Sequence, residues 1–217
     1  MAPILKAVFA DIGVASPTVA YVGAANGDSP EFFERMAGIL KKTRRCRMLH
    51  AVTVPHDADV KKAVDIIKAA DAVFVSGGDV EAGVEVLNEK GITHIFAELY
   101  SQGRLVFGVS AGSIMLAREW VRWADPDDDS TAELFPCLGL APLICDTHGE
   151  GDDWEELKAA VALGPADSPS YGIMSGSCLK VYPGGRVEAM AGPVSVYVRR
   201  GKAVVKQADL TASLGSV

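Results

Sequence analysis

A chain of 217 residues, 49% hydrophobic and 23% charged, has the make-up of an ordinary soluble globular protein and is long enough to bury a sizeable core. Its formal net charge of −7 excludes a general nucleic-acid binder, because no basic stripe is present, and no apolar run approaches the length that crosses a bilayer. Four scattered cysteines, Cys46, Cys137, Cys145 and Cys178, form no C-x-x-C pair, so neither a zinc centre nor a disulfide framework is indicated and a cytoplasmic location is expected.

In chain order, residues 1–10 lack the basic-then-apolar design of a signal peptide and read as a first strand. Residues 19–24 are a short buried strand. Ser29 followed by Pro30 signals a helix start, and the helix is predicted to run to about Thr43 with Phe33, Met36, Ala37 and Leu40 on one face. The basic run 41–45 then meets a helix C-terminus, where positive charge is favourable. Residues 47–54 are a second strand, and 59–69 repeat the pattern of an acidic cap and a one-sided apolar helix. Residues 72–76 form a continuous apolar run typical of a parallel strand buried on both faces. Gly77-Gly78-Asp79 closes it, and 80–88 is the next helix.

Residues 105–107 lead into Gly108-Val109-Ser110-Ala111-Gly112, and a helix-like segment follows over 114–121. A G-x-S-x-G between strand and helix is the context of a nucleophile elbow, in which the glycines permit a sharp turn and the serine hydroxyl projects from it. The backbone N–H of Ala111 then points where an oxyanion would form, and an N–H of the Gly78 turn can join it. The bland alternatives are a helix-capping Ser110 and an Asp79 that caps its own helix. Beyond the elbow, 178–181, 187–190 and 194–198 are short β runs, with a frayed tail expected from about Asp209. The βαβα succession predicts an α/β fold with a mostly parallel central sheet, helices on both faces and antiparallel strands at the C-terminal edge, all in one domain over 1–217.

A serine nucleophile needs a base. His148 ends a strand-like run and opens a glycine-flanked polar loop, where an exposed histidine can reach substrate. His50, His56 and His94 fit packing or surface roles better. A metal reading of His50, His56, Asp57 and Asp59 has no recognised ligand spacing, and no cofactor fingerprint or phosphate loop follows the glycine turns.

The order of landmarks, "ADAVFVSGGD", "GVSAGS", "LGL…H" and "GIMSGSCLKV", resembles the dipeptidase E (aspartyl dipeptidase) and cyanophycinase family of serine peptidases over residues 19–205. The resemblance implies a class I glutamine amidotransferase-like fold with serine at the elbow. It further implies Ser110 as nucleophile, His148 as base and the Gly78 and Ala111 region as oxyanion hole. Small peptides, foremost dipeptides with an acidic residue, are the substrates it implies, and there is room for a homodimer. Arg104, Arg118 and Arg122, the last two placed on the elbow helix, are candidate partners for a substrate carboxylate.

Two departures stand out. Asp79-Val80-Glu81 follows the glycine pair where many members have Gly-Asn-Thr or Asp-Gln, so Asp79 lines the site differently. Met174 and Ser175 stand where members commonly carry an acid. The carboxylate that orients the base is therefore expected elsewhere: the resemblance implies Asp125 foremost, since some members place an aspartate shortly after the elbow helix, with Asp129 and Asp146 as alternatives. A non-catalytic relative that keeps the pocket for ligand binding is the competing class, and an α/β-hydrolase esterase ranks third.

Overall fold

The computed structural model describes residues 2–212, which form two compact units, the first ending at Met115 and the second starting at Leu116. In the first, β1 (Thr18–Val22), β2 (Arg47–His50), β3 (Ala72–Val75) and β4 (Leu105–Gly108) make an all-parallel sheet in the order β2-β1-β3-β4. Val19 pairs with Ala72 and Val75 with Gly108. Parallel neighbours need crossovers, supplied by α2 (Pro30–Thr43), α3 (Val60–Ala69), and α4 (Val80–Glu89) with α5 (Thr93–Ser101). Each start signal in the sequence is a real cap: Ser29, Asp59 and Asp79 accept from the backbone N–H groups of Phe32, Lys62 and Ala82.

Alternation along the strands divides the side chains between two covered faces. Val19, Tyr21, Met48 and Phe74 pack with Met36, Ala37 and Leu40 of α2 and with Leu5 and Phe9 of α1 (Ala2–Ile12). Each such large apolar side chain contributes about 1.5–3 kcal/mol on burial. Ala20, Val22, Val73 and Val75, on the opposite face, are equally buried, and α3 packs on β1 and β2.

The second unit holds a six-stranded sheet in the order β12-β11-β8-β7-β5-β6. Its middle strands, β5 (Glu119–Trp123), β7 (Ile144–Thr147) and β8 (Ser170–Ile173), are parallel. Its flanks, β6 (Ala132–Pro136), β11 (Val194–Arg200) and β12 (Ala203–Lys206), pair antiparallel. Helix α7 (Glu155–Leu163) packs Leu157, Ala160 and Val161 with Val121, Ile144 and Tyr197. Leu143, Cys145, Tyr171 and Val196 belong to a separate cluster, which the hairpin β9 (Cys178–Val181) and β10 (Val187–Met190) joins through Leu179, Val181 and Ala189. The α/β class with parallel strands and covering helices is as expected.

Four local expectations are corrected. The strand expected over residues 1–10 is instead the helix α1 from Ala2: Leu5, Phe9 and Ile12 recur at helical spacing and turn one stripe of it to the core. The elbow helix α6 (Ala111–Leu116) stops short of the expected end, and 119–123 is β5, because pairing with β6 and β7 captures the β-prone Trp120, Val121 and Trp123. Arg122 therefore lies on a strand and Arg118 just before it. The hairpin β9–β10 is a sheet of its own rather than an edge of the larger one. Finally, Leu210 bridges to Val194 and Asp209 pairs with Lys206, so the chain from 209 is still engaged there; residues 213–217 lie outside the described residues.

Candidate active site

In the first unit, Ser110 occupies the turn between β4 and α6 (Ala111–Leu116), half-buried, with φ +53°. A residue with a Cβ enters that left-handed region at a cost of order 1–3 kcal/mol, so the surroundings must impose it. They do so by close backbone approach. A Cβ on Gly108 would lie 2.4 Å from the carbonyl carbon of Gly112, and one on Gly112 would lie 2.2 Å from the carbonyl oxygen of Val75. Strand end and helix start are thus pressed together, and the serine is the residue left to make the bend. Ala111 opens α6, so its N–H has no carbonyl one turn earlier in that helix.

The β3–α4 turn stands against this elbow. A Cβ on Gly77 would touch the Ser110 Cβ at 3.1 Å and lie 3.7 Å from its Oγ. Gly78 has φ +148°, and a Cβ there would fall 1.9 Å from the carbonyl oxygen of Ala25. Asp79 donates its N–H to that same oxygen at 2.7 Å, while its Oδ1 caps α4. The carboxylate thereby fills the capping role weighed for it.

The turn rests on the loop 23–28 after β1, a part of the site that the sequence did not single out. The Asn26 amide donates to the carbonyl of Gly77 at 2.9 Å and to the Tyr21 hydroxyl at 3.1 Å. Asp28, buried and also left-handed at φ +55°, accepts from the N–H groups of Thr53 at 2.5 Å and Val54 at 2.8 Å. His50 Nε2 lies 3.2 Å from its Oδ1. Burial alone would push the Asp28 carboxyl up, but these hydrogen bonds outweigh it and hold it below the usual range. The His50 ring stacks on Phe33 and stands edge-on to Tyr21, a packing role. His56 is exposed after β2, and His94 lies in α5.

In the second unit, His148 follows β7 directly, exposed, with φ +65°. Its Nδ1 lies 3.2 Å from Ser175 Oγ, and the Ser175 N–H donates to Glu150 Oε1 at 2.5 Å. That backbone hydrogen bond leads the causes that hold the Glu150 carboxyl low, and the charge of His148 adds to them. The loop is seated on Trp154, itself at φ +61° and buried. A Cβ on Gly149 would fall 2.6 Å from the indole, and one on Gly172 2.8 Å from it. The Trp154 N–H donates to Gly149 O at 2.7 Å.

The candidate acids sit as follows. Asp125 lies in an exposed loop after β5, where its Oδ1 accepts from the Asp127 N–H at 3.1 Å. Asp129 opens a 3-10 turn in the same loop. Asp146 is buried on β7 and accepts from the backbone of Thr147 at 2.7 Å and from that of Leu157 in the first turn of α7. Burial dominates there and pushes its carboxyl up to about 6. Among the arginines, Arg118 pairs with Glu119 at 2.9 Å and Arg122 with Glu133 at 2.7 Å, while Arg104 precedes β4.

Among known proteins, the "Uncharacterized peptidase YgaJ" of Bacillus subtilis (strain 168) is 28% identical over 106 residues, 48% of this chain and 44% of that protein. The pyridoxal 5'-phosphate synthase subunit PdxT of Deinococcus radiodurans is 26% identical over 132 residues, 60% of this chain and 65% of that one. The chain thus spans less than two thirds of the length of either relative. A crystal structure of a peptidase from an acI-B1 Actinobacterium superposes with a TM-score of 0.66 at 20% identity, covering 97% of this chain and 88% of that one, which shows a shared fold. The sequence pattern of peptidase family S51 matches residues 2–187, and with most of its length so matched the chain belongs to that family.

Proposed function

We propose that this member of a peptidase family is a serine peptidase that cleaves small peptides, with Ser110 as nucleophile. The observation that carries the reading is the left-handed Ser110 between Gly108 and Gly112, since a serine held on a strained strand-to-helix turn beside a second glycine turn is the setting of a nucleophile elbow. Ser110 Oγ attacks the peptide carbonyl, and the N–H groups of Gly78 and Ala111 are the proposed donors to the oxyanion. His148, the base that the sequence resemblance names, takes the serine proton and returns it to the leaving amine; water then hydrolyses the acyl-enzyme. Dipeptides with an acidic residue are the substrate class to try first, on the same resemblance. The four scattered cysteines suit a reducing cytoplasm, and no described helix is long and apolar enough to cross a membrane.

The test is a fluorophosphonate probe with Ser110→Ala alongside, together with a panel of Asp-X and β-aspartyl dipeptides. The expected result is one labelled serine, lost in the variant together with dipeptide hydrolysis. Labelling that persists in Ser110→Ala would overturn the assignment. A second reading, a relative that binds ligand without turnover, is favoured by one feature, the neutral Ser175 beside the proposed base. An unreactive wild type would select it.

A further inference from the structure

The strained turn beside Ser110 is held by a side chain from another loop. Asn26 ends a short 3-10 turn, Ala24–Asn26, after β1. Its three hydrogen bonds fix which way its amide faces. The carbonyl of Gly77 can only accept, so Nδ2 must point at it; the N–H of Ser29 can only donate, so Oδ1 must face that group at 3.3 Å. The remaining Nδ2 hydrogen goes to the Tyr21 hydroxyl. Around it, the backbone of Ala25 accepts from Asp79, and Gly78 leaves no room for a side chain against Ala25.

A peptide unit is rigid and planar, and in its trans form the carbonyl and the next N–H point in opposite directions. Fixing the Gly77 carbonyl toward Asn26 therefore fixes the Gly78 N–H away from it. We propose that Asn26 is a positioning residue that pins the Gly77–Gly78 peptide and so aims the Gly78 N–H for oxyanion binding beside Ser110. Glycine at 77 and 78 leaves that peptide otherwise free to flip, which is why an outside donor is needed. The consequence for catalysis rests on the Ser110 reading; the pinning itself does not.

Asn26→Asp separates the two. It keeps the shape and the acceptor for Ser29 but removes both donated hydrogen bonds. Two quantities are read in wild type and variant: the amide 15N and 1H shifts of Gly78, and the second-order rate of Ser110 phosphonylation by a fluorophosphonate. The expected result is a displaced Gly78 resonance and a rate lower by about 10- to 100-fold, with little change in probe affinity. Tyr21→Phe, which leaves the Gly77 contact intact, should lower the rate less and guards against a folding defect. An unmoved Gly78 amide, or an unchanged rate, would overturn the proposal. If the wild type does not react at all, the serine reading has failed, and the Gly78 shift alone then decides whether Asn26 holds the turn.

Discussion

Ser175 Oγ lies 3.2 Å from His148 Nδ1, and the backbone N–H of the same serine is held by Glu150. A hydroxyl can receive the Nδ1 proton as a hydrogen bond and so favour the tautomer with a free Nε2, but it carries no charge to stabilise an imidazolium. If His148 is the base, Ser175→Ala and Glu150→Gln should each lower turnover by about tenfold, the worth of one modest hydrogen bond. Asp125→Asn, whose carboxylate serves its own loop, should leave turnover near wild type. Steady-state kinetics on an Asp-X dipeptide measures all three, and a collapse confined to Asp125→Asn would restore that aspartate as the orienting acid.

The elbow makes a prediction about glycines that is independent of activity. Gly112→Ala would drive a Cβ against the Val75 carbonyl and should destabilise by more than ~2 kcal/mol. Gly38, inside α2 with open space around it, should respond in the opposite sense: Gly38→Ala is expected to stabilise by roughly 0.5–1 kcal/mol through helix propensity. Urea denaturation of the two variants reads both signs at once.

Asp146 makes stability fall as pH rises. Its folded carboxyl titrates at about 6, above the ordinary value, so between about 4 and 6 the native state holds a proton that the unfolded chain has lost. Raising pH through 6 removes that proton and forces a buried charge, at a cost of up to ~3 kcal/mol. Asp146→Asn should therefore raise the melting temperature at pH 7.5 and change it little at pH 4.5. An equal shift at both values would mean that burial is not what perturbs the group.

Asp28 works in the other direction. Its carboxyl is held low, so its contribution is complete above the ordinary carboxylate range and is lost as pH falls through the folded value. Asp28→Asn should cost about 2 kcal/mol at pH 7, from weakened bonds to Thr53, Val54 and His50, and the deficit should shrink in acid. Thermal melts from pH 7 down to pH 3 follow it.

What could be read from the sequence was local. Ser29, Asp59 and Asp79 announce helix starts because a cap bonds three residues on, and the glycine elbow announces itself through adjacent residues. What could not be read depends on distant pairing. The β5 segment looks helical until β6 and β7 are beside it, and α1 looks like a strand until Leu5 and Phe9 have a surface to cover. The same holds for the site. Asn26 and Gly77 are 51 residues apart, and His148 and Ser175 are 27 apart. Asp146 shares a strand end with His148, but nothing in the chain order reveals that its carboxylate is committed to the start of α7.

Trp154 with Gly149 and Gly172 has a consequence for how this protein can change over generations. The indole fills the space that two missing side chains leave, one beside His148 and one on β8. Enlarging either glycine while the tryptophan stays produces a clash, and shrinking the tryptophan while both glycines stay produces a hole under the loop. Single steps are therefore closed in both directions. The three positions form one inherited unit, to be kept or exchanged together, and a lineage that loses Trp154 should show a bulkier residue at 149 or 172.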